Sequence, residues 1–294
     1  MIIGDRLYVE GLFDSQTWTI SYLVMDLVRQ AVRTDRQRAR LRSQIRTHRH
    51  RLGRPSDRTG QGSGSLGAVD TETHVHADHV SAAPYLKRQL GGQIAIGSHI
   101  TAVQQVFGKL FNAPEDFARD GTQFDVLLDD EGAFSIGSLQ ARALHTPAHT
   151  PACMTYLVEI GDETVAFRRR YAVHARLRHS PLRLPGGQCA HAVPLDPRIL
   201  SLPPQTRLFM CHDYLPDGRE LQYMTTVAEQ RANNIHVHEG IDEDAFVKMR
   251  EARDATLEMP VLMLPSVQVN MRCGHLPEPE DNGVSYLKIP LNVL

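Results

Sequence analysis

Three imidazoles and a carboxylate fall within six residues in Thr73-His74-Val75-His76-Ala77-Asp78-His79, directly after a strand-like stretch. Few folds have a use for such a string. Imidazole nitrogen and carboxylate oxygen suit zinc, iron or manganese, and alternation in an extended segment points His74 and His76 the same way. Asp78 and His79, at the next turn, can face a neighbouring position. The plain alternative is a polar loop with chance histidines, and four candidate ligands in six residues weigh against it.

Two more strings have the same form. Leu144-His145-Thr146-Pro147-Ala148-His149 and Phe209-Met210-Cys211-His212-Asp213-Tyr214 both follow strand patterns. Ligands donated by several strand ends converge at one edge of a layered fold. The rest of the chain predicts such layers. Apolar periodicity and turn residues give helices over 81–90, 100–111, 225–233 and 243–255. They give strands over 18–25, 93–97, 124–128, 133–136, 139–144, 154–160, 164–167 and 207–211. Residues 13–15 read as the turn before the first of these. Strands mixed with helices on this scale indicate an α/β or α+β layered fold.

With 41% hydrophobic residues the chain can bury a core, and no apolar run is long enough to span a membrane. Acids come early in Met1–Asp14 with no apolar h-region, which argues against a signal peptide. Cys153, Cys189, Cys211 and Cys273 are too few and too scattered for a disulfide framework, so a reducing cytoplasm is the expected location.

The net charge of −2 conceals a division. Residues 28–66 carry eleven arginines against Asp35 and Asp57, and 168–195 carry six arginines and no acid. The two segments hold +15 and everything else holds −17. All four lysines, Lys87, Lys109, Lys248 and Lys288, lie outside them. A nucleic-acid arm normally mixes lysine with arginine and interleaves aromatics, and these segments do neither. No nucleic-acid partner is expected.

THVHADH, HTPAHT and CHDY resemble the metal motifs of the metallo-β-lactamase superfamily, which implies an αβ/βα four-layer sandwich with its ligands at one edge. HTPAHTPACMTYLV and the tail SVQVNMRCGHLPEPEDNGVSYLKIPLN resemble more narrowly its persulfide dioxygenase (sulfur dioxygenase) branch, beside the related glyoxalase II thioesterases. The likeness covers 1–27, 70–167 and 197–294. It implies a mononuclear Fe(II) on His74 and His149 with one Asp from just beyond Phe167. In dinuclear relatives His76 joins that first site, while Asp78, His79 and His212 form a second, with zinc as the alternative metal. Asp78 is the candidate catalytic carboxylate. The implied substrate is a glutathione-based or similar low-molecular-weight persulfide, oxidised by O₂ to sulfite, and a homodimer is left open. The alternatives are a thioester metallo-hydrolase or an inactive pseudoenzyme.

The chain departs from that family at one ligand. Where a Gly-Asp pair belongs after Phe167 it has Arg168-Arg169-Arg170-Tyr171, and no acid follows until Asp196. Arg168 to Arg176 can be encoded CGT CGG CGA TAC GCT GTT CAT GCC CGA, and dropping the first base gives VGDTLFMP. The Gly-Asp returns. The same offset from Arg33 onward permits a segment that begins as a strand and ends as an amphipathic helix. Both arginine segments, about 28–70 and 168–197, are therefore read as out-of-frame text. The expected organisation is a catalytic domain over 1–213 and a helical extension over 214–294 packed on it.

Other signals are weaker. His236 and His238 alternate like ligands but have no partner motif, and Arg250 and Arg253 read as a solvated helix face. His48, His50, His174, His179 and His191 lie in the arginine segments and carry no role. Cys153 reads as a small buried cysteine rather than a wall of a thiol pocket.

Overall fold

The computed structural model describes residues 1–28, 69–147, 150–168, 197–215, 218–234, 248–249 and 261–291. Its centre is a pair of sheet layers. Strands β1 (Ile2–Ile3), β2 (Leu7–Asp14) and β3 (Thr19–Asp26) form an antiparallel sheet, and β4 (Val69–Glu72), β5 (Gln93–Gly97) and β6 (Val126–Leu128) form a parallel one. Facing them is a six-stranded sheet of β7 (Gly132–Ile136), β8 (Leu139–His145), β9 (Met154–Ile160), β10 (Glu163–Arg168), β11 (Arg207–Met210) and β12 (Met224–Thr226). Its strands lie in the order β12-β11-β10-β9-β8-β7.

The period of two along each strand sorts the core into three layers. Met154, Tyr156 and Val158 of β9, with Val165 and Phe167 of β10, face Leu7 and Val9 of β2 and Ala95 of β5. Both three-stranded sheets thus pack on one face of the six-stranded sheet. The alternate residues Leu157, Ala166, Leu208 and Met210 face α3 (Pro197–Leu200) and α4 (Val227–Asn233) through Ile199 and Val227. On the far side of β5, Ile94 and Ile96 meet α1 (Ala83–Leu90), α2 (Ile100–Leu110) and α5 (Met263–Asn270) through Ala83, Val103, Phe107, Met263 and Val267. The order helix, sheet, sheet, helix is the four-layer sandwich the motifs imply.

Most predicted elements recur with shifted ends. The first predicted strand is the second arm of a hairpin rather than its opening strand, because β2 precedes it and runs through Asp14. The turn itself lies at 15–18, where Gln16 N–H donates to Asp14 Oδ1 at 2.9 Å. Gly11 interrupts the apolar alternation of β2, since a Cβ there would stand 3.0 Å from the Tyr223 ring. The helix expected from 225 begins at Val227, because Met224–Thr226 pairs with β11 and Thr226 caps the helix in a reciprocal box with Glu229. The tail SVQVNMRC contributes α5, a helix absent from the sequence-based expectation. Most of the helix predicted over 243–255 lies outside the described residues, as do both arginine segments apart from Val28, Val69, Asp70, Arg168 and Pro197.

Arg168 closes β10 at only 2% exposure. Alternation puts it on the same face as Ala166, the face that packs with Leu208 and Met210 against the α3 and α4 layer. Taking a guanidinium out of water there costs desolvation.

Candidate metal centre

The sheet registers bring the predicted ligand strings to one edge. In the six-stranded sheet His145 pairs with Met154, Thr155 with Arg168, and Arg168 with Met210. The C-termini of β8, β10 and β11 are therefore level. The end of β4 is tied to the same edge, because Met154 N–H donates to Thr73 C=O at 2.8 Å. Strand β4 leads directly into the 73–79 loop, and β11 leads directly into Cys211-His212.

Within that loop Asp78 is the hub. Its Oδ1 lies 3.3 Å from His79 Nδ1 and 3.9 Å from His76 Nδ1, and its Oδ2 lies 3.5 Å from His212 Nδ1. The candidate atoms of His76, Asp78 and His79 all fall within 4.8 Å of one another. Two ligands on one tetrahedral ion at 2.0–2.2 Å stand about 3.4 Å apart, so these spacings suit a shared cation better than direct hydrogen bonding. The Asp78 oxygens are buried and make no hydrogen bond among the described residues, as expected of groups shaped for an ion. The donors fit a metal. His74 completes the group, fully buried with its ring centroid 4.0 Å from that of His76. Its Nδ1 contacts Thr73 Oγ1 at 2.8 Å, and with the hydroxyl accepting, Nε2 carries the lone pair a metal needs.

The electrostatics agree. Burial, reinforced by His79, lowers the pKa of His76 and favours the neutral imidazole that metals require. Burial alone would raise the Asp78 carboxyl, but His79, His212 and His76 outweigh it and hold it well below the usual carboxylate range. These neighbours favour the carboxylate form of Asp78.

Several supporting residues carry no signal in the sequence alone. Glu72, two positions before the first histidine, lies 3.4 Å from His76 Nε2 and orients that ring from behind. Burial opposes its charge, but His76 and Ser81 together keep its pKa low, and the Ser81 hydroxyl donates to it. Tyr156 O–H donates to Glu72 C=O at 2.7 Å. His212 is fixed through its backbone: it bridges Thr19, while Ile20 N–H donates to Cys211 C=O at 2.7 Å and Asp213 N–H to Trp18 C=O at 3.0 Å. The buried Asp213 carboxylate takes Arg219 in a fork at 2.8 and 2.5 Å and the Gln222 N–H at 2.8 Å, which locks the turn after His212. Asn270, at the end of α5, reaches back to the ligand loop.

Of the predicted ligands, His74, His76, Asp78, His79 and His212 are brought together. His149 lies outside the described residues, as do His236, His238, Arg250, Arg253 and every histidine of the arginine segments. Cys153 is buried and contacts Thr150 Oγ1 at 3.1 Å. His145 is not in the cluster: it stacks on His99 at 3.7 Å and contacts Pro151 C=O at 2.7 Å. Among the described residues no helix is long and apolar enough to cross a membrane.

Comparison with known proteins places this arrangement. The family profile of the Metallo-beta-lactamase superfamily matches residues 71–167. A probable metallo-hydrolase of Burkholderia pseudomallei is 51% identical over 97% of this chain and 99% of its own. A protein named glyoxylase B2 of Dictyostelium discoideum is 44% identical over 76% of each chain. The mitochondrial persulfide dioxygenase ETHE1 of Homo sapiens is 27% identical, over 69% of this chain and 67% of its own. The crystal structure of ETHE1 from Myxococcus xanthus has the same fold, with a TM-score of 0.59 at 22% identity over 91% of this chain and 100% of that one. The chain belongs to the metallo-β-lactamase superfamily.

Proposed function

We propose that the chain is a persulfide dioxygenase by design, oxidising glutathione persulfide or a similar small persulfide with O₂ and water to thiol and sulfite. The observation that carries the reading is the contact between the tail that resembles that branch and the metal loop: Asn270 of SVQVNMRC donates to the carbonyls of His76 and His79. One of the two stretches that carry that resemblance thus contacts the candidate ligand loop.

The mononuclear site would draw on His74, on His149 and on an Asp supplied by the in-frame text after Phe167. A bound Fe(II) would supply O₂ activation, and a two-histidine, one-carboxylate face keeps positions open for O₂ and a persulfide sulfur. Asp78, anionic beside His79 and His212, would hold those two rings and balance the charge of a bound ion. Glu72 holds His76, and the bridge between Thr19 and His212 holds the opposite wall.

A second reading rests on the assembled His76, Asp78, His79 and His212, which suits a dinuclear zinc hydrolase of thioesters, and on the likeness to the glyoxylase B2 protein. Metal counting with parallel assays separates the two. One iron and persulfide-dependent O₂ uptake support the first, while two zinc ions and cleavage of S-acylglutathione support the second. Lacking the Asp ligand, the protein as translated, arginine segments included, is expected to hold iron poorly and to be a weak catalyst. A glutathione-based substrate, a cytoplasmic location and a homodimer belong to this proposal as well.

A further inference from the structure

The ligand loop has little architecture of its own. Among the described residues, the backbone groups of 76–81 make no hydrogen bond to another backbone group. A loop like that could hold two imidazoles and a carboxylate in many arrangements, and a metal site requires one. Something outside the loop must select it.

We propose that Asn270 is a positioning residue for the metal, fixing the backbone of 76–81 so that His76, Asp78 and His79 converge. Its side chain is 4% exposed at the last position of α5. The Nδ2 amide donates to His76 C=O at 2.8 Å and to His79 C=O at 2.7 Å, and Oδ1 accepts from Ser81 N–H at 2.8 Å. Both donors and the carbonyl oxygen are used, and each lands on a different residue of the loop. His76 and His79 are themselves candidate ligands, so the amide sets the separation of the two peptide units that carry them. Ser81, whose hydroxyl donates to Glu72, joins the same assembly to the carboxylate behind His76.

Only an amide satisfies this geometry. Aspartate has the same shape and could still accept from Ser81, but it would set a carboxylate oxygen against two carbonyl oxygens. The loop would move away, although the packing of α5 through Met263 and Val267 would be unaltered. α5 thereby braces the candidate ligand loop through Asn270.

The inference rests on the metal-site reading but not on the identity of the substrate, so the test uses zinc alone. The full-length chain, Asn270→Asp and Asn270→Ser are titrated with zinc against a chromophoric chelator, with the thermal midpoint of each metal-free protein and the visible spectrum of each cobalt-loaded protein measured in parallel. Asn270→Asp is expected to weaken zinc binding about 10–100-fold, the range for losing a group that orients a ligand. Its cobalt spectrum should shift as well. Asn270→Ser, which keeps one donor, should fall between. Zinc affinity within twofold of the parent and an unchanged cobalt spectrum, with only the metal-free midpoint lowered, would make Asn270 an ordinary helix anchor and overturn the proposal. Should neither variant fold, the unmutated chain decides: the Asn270 side-chain amide resonances are expected to shift on zinc addition, and resonances that do not move contradict the proposal. A parent chain that takes up no zinc contradicts the metal-site reading itself, an outcome distinct from a parent that binds zinc and a variant that binds it equally well.

Discussion

Replacing both arginine segments by their frame-restored text is expected to convert a chain that binds iron poorly into one that holds about one equivalent and remains in solution. Three observations support this. The family profile stops at 167, one residue before the second arginine segment, and starts at 71, just after the first. Arg168, the first residue of the second segment, is buried on the face that also carries Ala166 and Met210, where the decoded text has valine. Its peptide carbonyl accepts from Cys211 N–H at 3.2 Å, so the end of β10 lies beside the start of Cys211-His212. A restored Gly-Asp at that point would supply the absent carboxylate.

The first segment has a counterpart in the sheets. Among the described residues β3 and β4 are each the edge of a three-stranded sheet, both sheets pack on the same face, and the chain between them is the arginine-rich 27–68. A strand such as the decoded text begins with would pair there and join the two halves. Exposed sheet edges are sites of aggregation, so its insertion should raise solubility. Resequencing the gene is the direct check. In-frame codons for both arginine segments, together with tight stoichiometric iron in the protein that carries them, would contradict the frame reading.

Asp78→Ala is expected to have the largest effect of any single substitution at the site. It removes the carboxylate that faces His76, His79 and His212 together and leaves only Glu72, behind His76, as a nearby anion among the described residues. Zinc affinity should fall by more than the roughly 100-fold ceiling for losing a residue that only orients a ligand. Metal uptake should also weaken in acid as protons compete for His76, and the burial that lowers its pKa puts that loss below the ordinary imidazole range. The Asp78 carboxyl, held low by its neighbours, stays charged through that range and contributes no step of its own. An Asp78→Ala protein that keeps its affinity within tenfold would move the metal away from this loop.

The ligands were legible because their signal is local. His74, His76, Asp78 and His79 are adjacent in sequence, and alternation alone aims the first two together. The layers were legible for the same reason, with Met154–Ile160 and Gln93–Gly97 recurring at the expected limits. Helix α5 was not. It is buried on nearly all sides, from Met263 through Asn270, so it has no polar face to set a period, and Pro265 with two valines reads as an extended tail. The role of Asn270 could not be seen at all, because its partners lie 191 and 194 residues away in sequence. Glu72 was hidden because its contact with His76 forms only when the turn after the strand folds that ring back against it.

The central claim is a metal centre built on the 73–79 loop and completed for oxygen chemistry by the restored Asp. The most direct measurement is oxygen consumption by the frame-restored, metal-analysed protein on addition of glutathione persulfide. The account predicts one iron per chain, O₂ uptake that depends on the persulfide, and one sulfite formed per O₂ consumed. Two zinc ions, no O₂ uptake and hydrolysis of S-acylglutathione would contradict it and make the protein a thioesterase.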